Sequence, residues 1–282
     1  MQWFGRRESG NYENAGTGGG KGIALGGGVV GLIAAAIYFF TGIDPSAILN
    51  QGQQSNSAQT EQAQTPEEKE RVSFARVVFA DTEDVWTKLF SDMGKTYDKP
   101  TLVTFRQGVT TGCGEAGSET GPFYCPADQK VYIDLSFFDE LANKFGAAGD
   151  FAQAYVIAHE VGHHVQDLLG VSAKMDQARQ QLSESEYNKL SVKLELQADF
   201  YAGVWAYYEK NVKNVIDPGD IEEALNAAHQ IGDDRLQQEY QGRVTPDSFT
   251  HGSSAQRMYW FKKGYETGDM SQGNTFAASD LE

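Results

Sequence analysis

The chain has 282 residues, a formal net charge of −16 and a hydrophobic fraction of 40%. Its 16 Phe, 13 Tyr and 4 Trp supply enough bulky apolar surface for a folded core, which excludes a wholly disordered protein. The excess of acidic residues excludes general nucleic-acid binding, because phosphate contacts need clusters of Lys and Arg. These averages describe an acidic globular protein.

An uncharged stretch, GIALGGGVVGLIAAAIYFFTGI at 22–43, departs from this average. As a helix it is long enough to cross a bilayer core of about 30 Å. Tyr38, Phe39 and Phe40 near its end are typical of an interfacial aromatic belt. A cleaved signal peptide is the alternative, but bulky aromatics and not a small-residue cleavage site follow the alanines. We therefore predict a transmembrane helix over 22–43.

Basic residues flank this stretch on its N-terminal side. Arg6, Arg7 and Lys21 precede it, and the first basic residue after it is Lys69. The positive-inside rule therefore places residues 1–21 in the cytoplasm as a solvated tail. We expect a single-pass protein of the inner membrane, with the lipid bilayer as one partner and a periplasmic or extracellular C-terminal domain.

Composition divides the rest of the chain into a linker and a domain. Residues 44–72 are polar and Gln-rich, which is typical of a flexible linker. Aromatic and branched residues are again frequent in 73–282, which forms the predicted globular domain. This domain also has more acidic than basic residues. Within the apolar stretch, Gly27 and Gly31 form a G-x-x-x-G pair, which is typical of a helix dimer face, although a Gly-rich composition alone also explains it. A homo-oligomer through this stretch is accordingly an open expectation.

The two cysteines, Cys113 and Cys125, lie 12 positions apart in a Gly-rich stretch that also contains proline. A short flexible loop can bring two such sulfurs together, and an even cysteine count in an exported domain favours a disulfide. Two reduced thiols are the alternative. A zinc site is disfavoured because the chain has no second cysteine pair.

A predicted helix over 151–169 carries the most informative motif. Asp150 is its expected N-cap and Gly170 its expected stop. The helix contains His159-Glu160-Val161-Gly162-His163, an H-E-x-x-H motif. Histidines at i and i+4 share one helix face and can bind one metal ion, while the intervening Glu lies beside it as a general base. A pair of ordinary helix histidines is the alternative.

A catalytic zinc site needs a third protein ligand. Ser183 and Glu186 form a capping box that begins a second helix, and within it Glu195 and Asp199 are again at i and i+4. We expect Glu195 to be the third ligand and Asp199 to orient a ligating histidine. Ordinary surface acids are the alternative. Competing carboxylates are Glu184, Glu186 and Asp167.

The segments HEVGHHVQ at 159–166, LELQADFYAGVWA at 194–206 and HGSSAQR at 251–257 together resemble the bacterial neutral zinc metallopeptidase family. The resemblance covers nearly the whole chain, and Phe200 departs from the cysteine expected in many relatives. It implies a membrane-anchored zincin of the glutamate-ligand type, an α+β, predominantly helical domain with a small sheet. It also implies one Zn²⁺ per chain on His159, His163 and Glu195, with Glu160 as catalytic base, acting on a protein or peptide substrate.

Further residues have weaker signals. His251 is a candidate donor to the oxyanion of the tetrahedral intermediate, with helix capping as the alternative. His164 and His229 are expected to be structural. The alternating segment KVYIDL at 130–135 predicts a strand that could pair with an extended substrate at the cleft.

Two other classes of function compete with a peptidase. The same zinc apparatus can hydrolyse non-peptide bonds. An inactive membrane-tethered scaffold could keep zinc for stability alone, but the intact Glu160 argues against this, because a purely structural site needs no base.

Overall fold

The computed structural model describes residues 1–16 and 64–278. The stretch predicted to cross the membrane, 22–43, and the Gly27/Gly31 pair within it lie outside these residues. Among the residues that are described, no helix combines the length and the apolar character that crossing a membrane requires.

Eight helices and six strands form the described part of the chain. The helices are α1 (Pro66–Asp92), α2 (Phe137–Asn143), α3 (Asp150–Leu168), α4 (Val171–Arg179), α5 (Glu184–Tyr208), α6 (Asp220–Gln230), α7 (Asp233–Gln241) and α8 (Ser254–Thr267). The strands are β1 (Tyr12–Gly16), β2 (Thr101–Phe105), β3 (Gly108–Thr111), β4 (Gly114–Gly117), β5 (Phe123–Cys125) and β6 (Lys130–Asp134). This content confirms the prediction of an α+β, mostly helical fold with a small sheet.

Helix α1 begins at Pro66, ahead of the domain boundary expected at residue 73. Thr65 is its N-cap and forms a capping box with Glu68, and proline is well suited to the first helical position. Residues 66–72, which their composition assigned to the linker, therefore lie in a helix. The helix then buries an almost continuous apolar face against the core.

The larger sheet has the strand order β1-β2-β6-β5. The β1–β2 and β2–β6 pairs are parallel, and β5 pairs with β6 in the antiparallel sense. Residues 130–134 form a strand as predicted, but β6 has a neighbour on both sides. Their expected pairing with substrate is therefore wrong, because both hydrogen-bonding edges of β6 are occupied. On that side the last strand of the sheet, as far as residues 1–16 and 64–278 form it, is β5.

Helices α1, α3, α5 and α8 surround the main apolar core, and α5 and α8 pack most extensively. Two glycines set their separation. A Cβ on Gly203 of α5 would lie 2.0 Å from the carbonyl oxygen of Phe261, and a Cβ on Gly264 of α8 would lie 2.1 Å from that of Phe200. The two backbones therefore approach more closely than any other residue at these positions would permit.

The disulfide between Cys113 and Cys125 is present, as predicted. Cys113 lies in the turn of the β3–β4 hairpin and Cys125 ends β5. The bond therefore ties the edge strand of the larger sheet to the two-stranded sheet beside it.

Residues 1–16, the described part of the expected cytoplasmic tail, fold onto the domain. Strand β1 pairs with β2 at the sheet edge opposite β5. Met1 and Ser9 are buried. This segment is thus a component of the fold, contrary to the solvated tail expected from its composition.

Candidate metal centre

Helix α3 begins at Asp150, which is its first residue and not the N-cap expected from the sequence. Gly149 occupies the cap position without a side-chain hydrogen bond. The Asp150 carboxylate accepts instead from the Met1 ammonium at 2.9 Å, while Glu223 accepts from the backbone N–H of Phe151 at 3.0 Å. The helix stops before Gly170, whose φ of +78° supplies the expected left-handed turn.

Gly162, inside the H-E-x-x-H motif, sets the distance between α3 and α5. A Cβ at this position would lie 3.0 Å from the carbonyl oxygen of Ala198 and 3.2 Å from its Cα. Helix α5 begins with the predicted capping box of Ser183 and Glu186. The close crossing places the two histidines of α3 against Glu195 of α5.

His159, His163 and Glu195 meet as the sequence predicted. Each offers one potential ligand atom, and these three atoms all lie within 4.8 Å of one another. Glu195 Oε2 is 3.1 Å from His159 Nε2 and 3.5 Å from His163 Nε2. Two imidazoles and one carboxylate are a donor set that zinc prefers, so the residues fit this metal.

The outward nitrogen of each histidine has a fixed partner. His159 Nδ1 lies 2.8 Å from Asp199 Oδ1, and His163 Nδ1 lies 2.9 Å from Gln166 Oε1. Gln166 presents its oxygen there because its amide nitrogen donates to the Leu194 carbonyl and the Gln197 side chain. Both Nδ1 atoms therefore keep a proton, and the two Nε2 atoms, which face Glu195, are the ones that a metal ion would bind.

Asp199 lies where the sequence predicted, beside a histidine of the pair, but its other partners were not foreseen. Arg257 of α8 donates to it through Nε at 2.8 Å and Nη2 at 3.0 Å, and the Tyr155 hydroxyl donates at 2.5 Å. All of these groups are buried. Arg257 ends the HGSSAQR segment, and this was the only sequence signal that pointed to it.

Burial and opposing charges shift the pKa values of this cluster in opposite directions. Burial lowers the pKa of His159, but the Asp199 and Glu195 carboxylates outweigh it and raise the pKa to about 10. Burial raises the pKa of Glu195, but His163 and His251 hold it well below its ordinary value. Acid and base thus stabilise each other's charged forms, so a cation entering the site displaces protons from the histidines.

Glu160 is buried in the wall of the same cleft as the three candidate ligands. Burial raises the pKa of its carboxyl, while the nearby imidazoles of His163 and His159 oppose the shift. A carboxylate whose proton affinity has been raised in this way is suited to receive a proton during a reaction.

His251 also lines the cleft, held by an aspartate that the sequence did not single out. Asp233 Oδ2 accepts from the backbone N–H groups of Thr250, His251 and Gly252 at 2.8, 2.6 and 2.9 Å. Its other oxygen is 3.4 Å from His251 Nδ1. Asp233 therefore fixes the loop, while the Thr250 hydroxyl, 3.0 Å from His251 Nδ1, is the hydrogen-bond partner of the imidazole.

The remaining polar candidates have other roles. His164 is buried, with Nε2 2.7 Å from the Asp98 carbonyl and Nδ1 3.0 Å from the Tyr124 hydroxyl, which itself donates to Asp167. His229 is exposed on α6. Glu184 and Glu186 lie in the first turn of α5.

A cleft of about 690 Å³ opens over these residues. Its floor includes His159, Glu160, His163 and Glu195. One wall is the segment Ser118–Tyr124, which contains the start of edge strand β5. Apolar side chains of the other walls come from α2, the turn after it, α4 and α7, namely Phe137, Phe145, Met175, Leu236 and Tyr240.

A helix-borne pair of histidines, a carboxylate from a second helix and a buried glutamate beside them define a candidate zinc hydrolase centre. The family model described as "Putative neutral zinc metallopeptidase" matches residues 1–276. The chain belongs to this family.

Curated relatives extend along the whole chain. A protein of Escherichia coli K12 named "Uncharacterized protein YpfJ" is 51% identical over 288 residues, which cover 99% of this chain and all of the relative. Proteins of Mycobacterium bovis (Mb2605) and Mycobacterium tuberculosis H37Rv (Rv2575), also named as uncharacterized, are 43% identical over 258 residues, 85% of each chain. No solved structure matches the chain significantly.

Proposed function

We propose that this protein is a zinc-dependent endopeptidase. His159, His163 and Glu195 would hold one Zn²⁺, and Glu160 would act as the general base. The observation that carries the proposal is the convergence of three ligand atoms within 4.8 Å of one another in the floor of a cleft that also contains Glu160. When bound, zinc would polarise the scissile carbonyl and acidify a water molecule.

The protein's own groups account for the proton transfers. Glu160 takes a proton from the attacking water and passes it to the leaving amine, a role for which burial has raised its pKa. Asp199 keeps the proton of His159 on Nδ1, and Gln166 does the same for His163. Arg257 and Tyr155 hold Asp199 in place and share its charge.

His251 would stabilise the negative charge that develops on the carbonyl oxygen. It lines the cleft, and its Nδ1 is turned toward Asp233. Burial lowers its pKa, but the Glu195 and Asp233 carboxylates outweigh this and raise it. A protonated imidazole can donate a charge-assisted hydrogen bond to an oxyanion.

Strand β5 would hold an extended substrate. Of its two edges, one pairs with β6 and the other has no strand beside it in the described residues. An extended peptide can add to such an edge through backbone hydrogen bonds. The apolar walls of the cleft favour bulky side chains next to the scissile bond.

The test compares metal content and peptide cleavage in full-length variants. We expect Glu160→Gln to keep its zinc and lose roughly 10²- to 10⁴-fold in the chelator-sensitive cleavage of a diverse peptide library. His159→Ala should lose the zinc, whereas His229→Ala, which changes an exposed histidine, should retain both properties. Unchanged zinc content in His159→Ala would disprove the metal site, and zinc-loaded protein without any cleavage would disprove the peptidase.

A second measurement addresses His251. We expect His251→Ala to lower kcat by roughly 10²-fold, with zinc content and KM little changed, because its contact forms in the transition state. If His251→Ala lost zinc together with activity, His251 would maintain the structure of the metal site and would not act on the oxyanion.

A further inference from the structure

The N-terminal segment, residues 1–16, enters the fold at three places. The first is the sheet, where residues Tyr12–Gly16 pair in parallel with Leu102–Phe105 of β2. The Tyr12 hydroxyl also bonds to Thr104 at 2.8 Å, and Lys130 pairs with Glu13 at 2.7 Å. The segment thus completes one edge of the larger sheet.

The second place is Glu83 of α1, which is only 2% exposed. Its carboxylate accepts from Ser9 Oγ at 2.6 Å, Asn11 Nδ2 at 2.7 Å and Arg7 Nη1 at 3.2 Å. These three donors all belong to the N-terminal segment, and within the described part of the chain Lys99, at 3.5 Å, is the only other donor. A carboxylate at this depth without them would be costly to leave ionised.

The third place joins the segment to the metal helix. The Met1 ammonium is 2.9 Å from Asp150, the first residue of α3, and 3.1 Å from Asp220, the first residue of α6. Arg6 pairs with the buried Asp81 at 2.7 Å. Asp150, Asp220 and Asp81 are thus each paired with a cation of the segment.

Arg6 and Arg7 are two of the three basic residues on which the cytoplasmic orientation of the N-terminus rested. Both are engaged in ion pairs with α1, through Asp81, Glu83 and Asp84. In the folded protein these arginines are held in ion pairs with the domain, so they are not free charges beside the apolar stretch 22–43. A single membrane crossing between residues 16 and 64 would separate every one of these contacts.

We propose that residues 1–16 and the catalytic domain lie on the same side of the membrane, with the N-terminal segment docked on the domain as its edge strand and counter-charge. The sequence predicted a single-pass topology, with a cytoplasmic N-terminus and the domain on the other side of the membrane. The proposed arrangement is incompatible with that topology. It does not depend on the peptidase activity.

Thiol accessibility in the full-length protein tests the sidedness. The cysteines Cys113 and Cys125 are joined in a disulfide, so an introduced cysteine would be the reactive thiol. Gly10→Cys is suitable because residue 10 is exposed and a Cβ there meets nothing within 4 Å. Val212→Cys marks the domain, since Val212 is 63% exposed.

Each variant is treated with a membrane-impermeant maleimide in intact spheroplasts and again after permeabilisation. We expect the two positions to label under the same condition, whichever side that is, and to label equally in detergent. Labelling of one position in intact spheroplasts and of the other only after permeabilisation would overturn the proposal.

Docking is tested separately by thermal unfolding of the full-length protein. Ser9→Ala removes a hydrogen bond to the buried Glu83, and we expect a fall in melting temperature of about 5 °C. The matched control is Ser271→Ala, which removes an exposed Ser–Asp hydrogen bond and should shift the melting temperature by less than about 1 °C. An equal, small shift in both variants would show that the segment is not docked.

Discussion

Helix α5 and the turn that continues it carry two fully buried carboxylates with opposite surroundings. Asp199, beside the metal centre, receives hydrogen bonds from Tyr155, His159 and Arg257. Glu209 lies beside the N-terminal segment, and neither of its oxygens has a hydrogen-bond partner among the described residues. Its cations are more distant, with Lys213 at 3.5 Å and Arg6 at 4.0 Å.

The two pKa values follow from this difference. Burial alone raises the pKa of a carboxyl, yet Arg257 and His159 hold that of Asp199 far below its ordinary value. At Glu209 burial and the neighbouring Asp81 prevail over Lys213 and Arg6 and raise the pKa to about 8. Similar burial therefore accompanies an anion at Asp199 and a protonated acid at Glu209, and the charges and hydrogen-bond donors next to each carboxyl decide between them.

Removing Arg257 should have the largest effect, because it leaves Asp199 as a buried charge without its main partner. We expect Arg257→Ala to lower the free energy of unfolding by about 3–5 kcal/mol. Zinc binding should also weaken, because Asp199, the acceptor for His159 Nδ1, is no longer held in place by Arg257. Urea unfolding and competition with a zinc chelator measure the two effects.

The control for this variant is Arg243→Ala, which changes an exposed arginine beyond α7. It should alter the free energy of unfolding by no more than about 0.5 kcal/mol. If Arg257→Ala behaved like the control, Asp199 would not need its cation, and the contrast between the two carboxylates would have another cause.

Glu83 is an intermediate case. Like Asp199 it is buried and accepts several side-chain hydrogen bonds, but three of its donors belong to the N-terminal segment. We expect Glu83→Ala to cost about 1–3 kcal/mol of unfolding free energy, because Ser9 and Asn11 lose a buried acceptor. Zinc affinity should stay within about twofold of the wild type.

Asp84→Ala is the matched control, since Asp84 is the neighbouring acid, pairs with Arg7 as well and is 49% exposed. It should cost less than about 1 kcal/mol. A large loss of zinc from Glu83→Ala would mean that the interface and the metal centre are coupled more tightly than their separate hydrogen-bond networks indicate.

The two regions also differ in how well the sequence predicts them. His159 and His163, and likewise Glu195 and Asp199, are one helical turn apart, so helix geometry alone places each pair on one face. Tyr155 and Gln166 are each one helical turn from a histidine, but their residue types did not single them out. Arg257 and Asp233 come from distant parts of the chain, and no local spacing relates them to the histidines. The ligand set was therefore foreseeable, whereas most of its support was not.

The N-terminal segment gave no local signal at all. The β1 sequence Tyr12–Gly16, YENAG, is polar and lacks the alternation typical of a strand. Its partner β2 lies about 90 positions further along the chain. A positive flank before an apolar stretch is an orientation signal only when those charges are free, and Arg6 and Arg7 have partners that only the tertiary structure reveals.

Glu209→Gln should have an effect of the opposite sign, an increase in stability. The pKa of Glu209 is raised from 4.5 to about 8, so between these values the folded protein holds a proton that the unfolded chain releases. Stability from this group is complete below about pH 4.5 and declines as the pH rises toward 8. Glutamine keeps the shape without titrating, so we expect Glu209→Gln to be more stable than wild type at pH 8, by an amount that increases from pH 5 to pH 8.

Thermal unfolding at pH 5, 6.5 and 8 measures this difference, which should be smallest at pH 5 and grow with pH. Glu266→Gln, a change at an exposed acid of α8 that is 59% accessible, should show no such trend. A variant that is less stable than wild type at pH 8 would mean that ionised Glu209 is stabilised by Lys213 and Arg6 despite their distance. In that case opposing charge alone, without hydrogen bonds, would be enough to keep a buried carboxylate ionised, and the contrast with Asp199 would be one of degree.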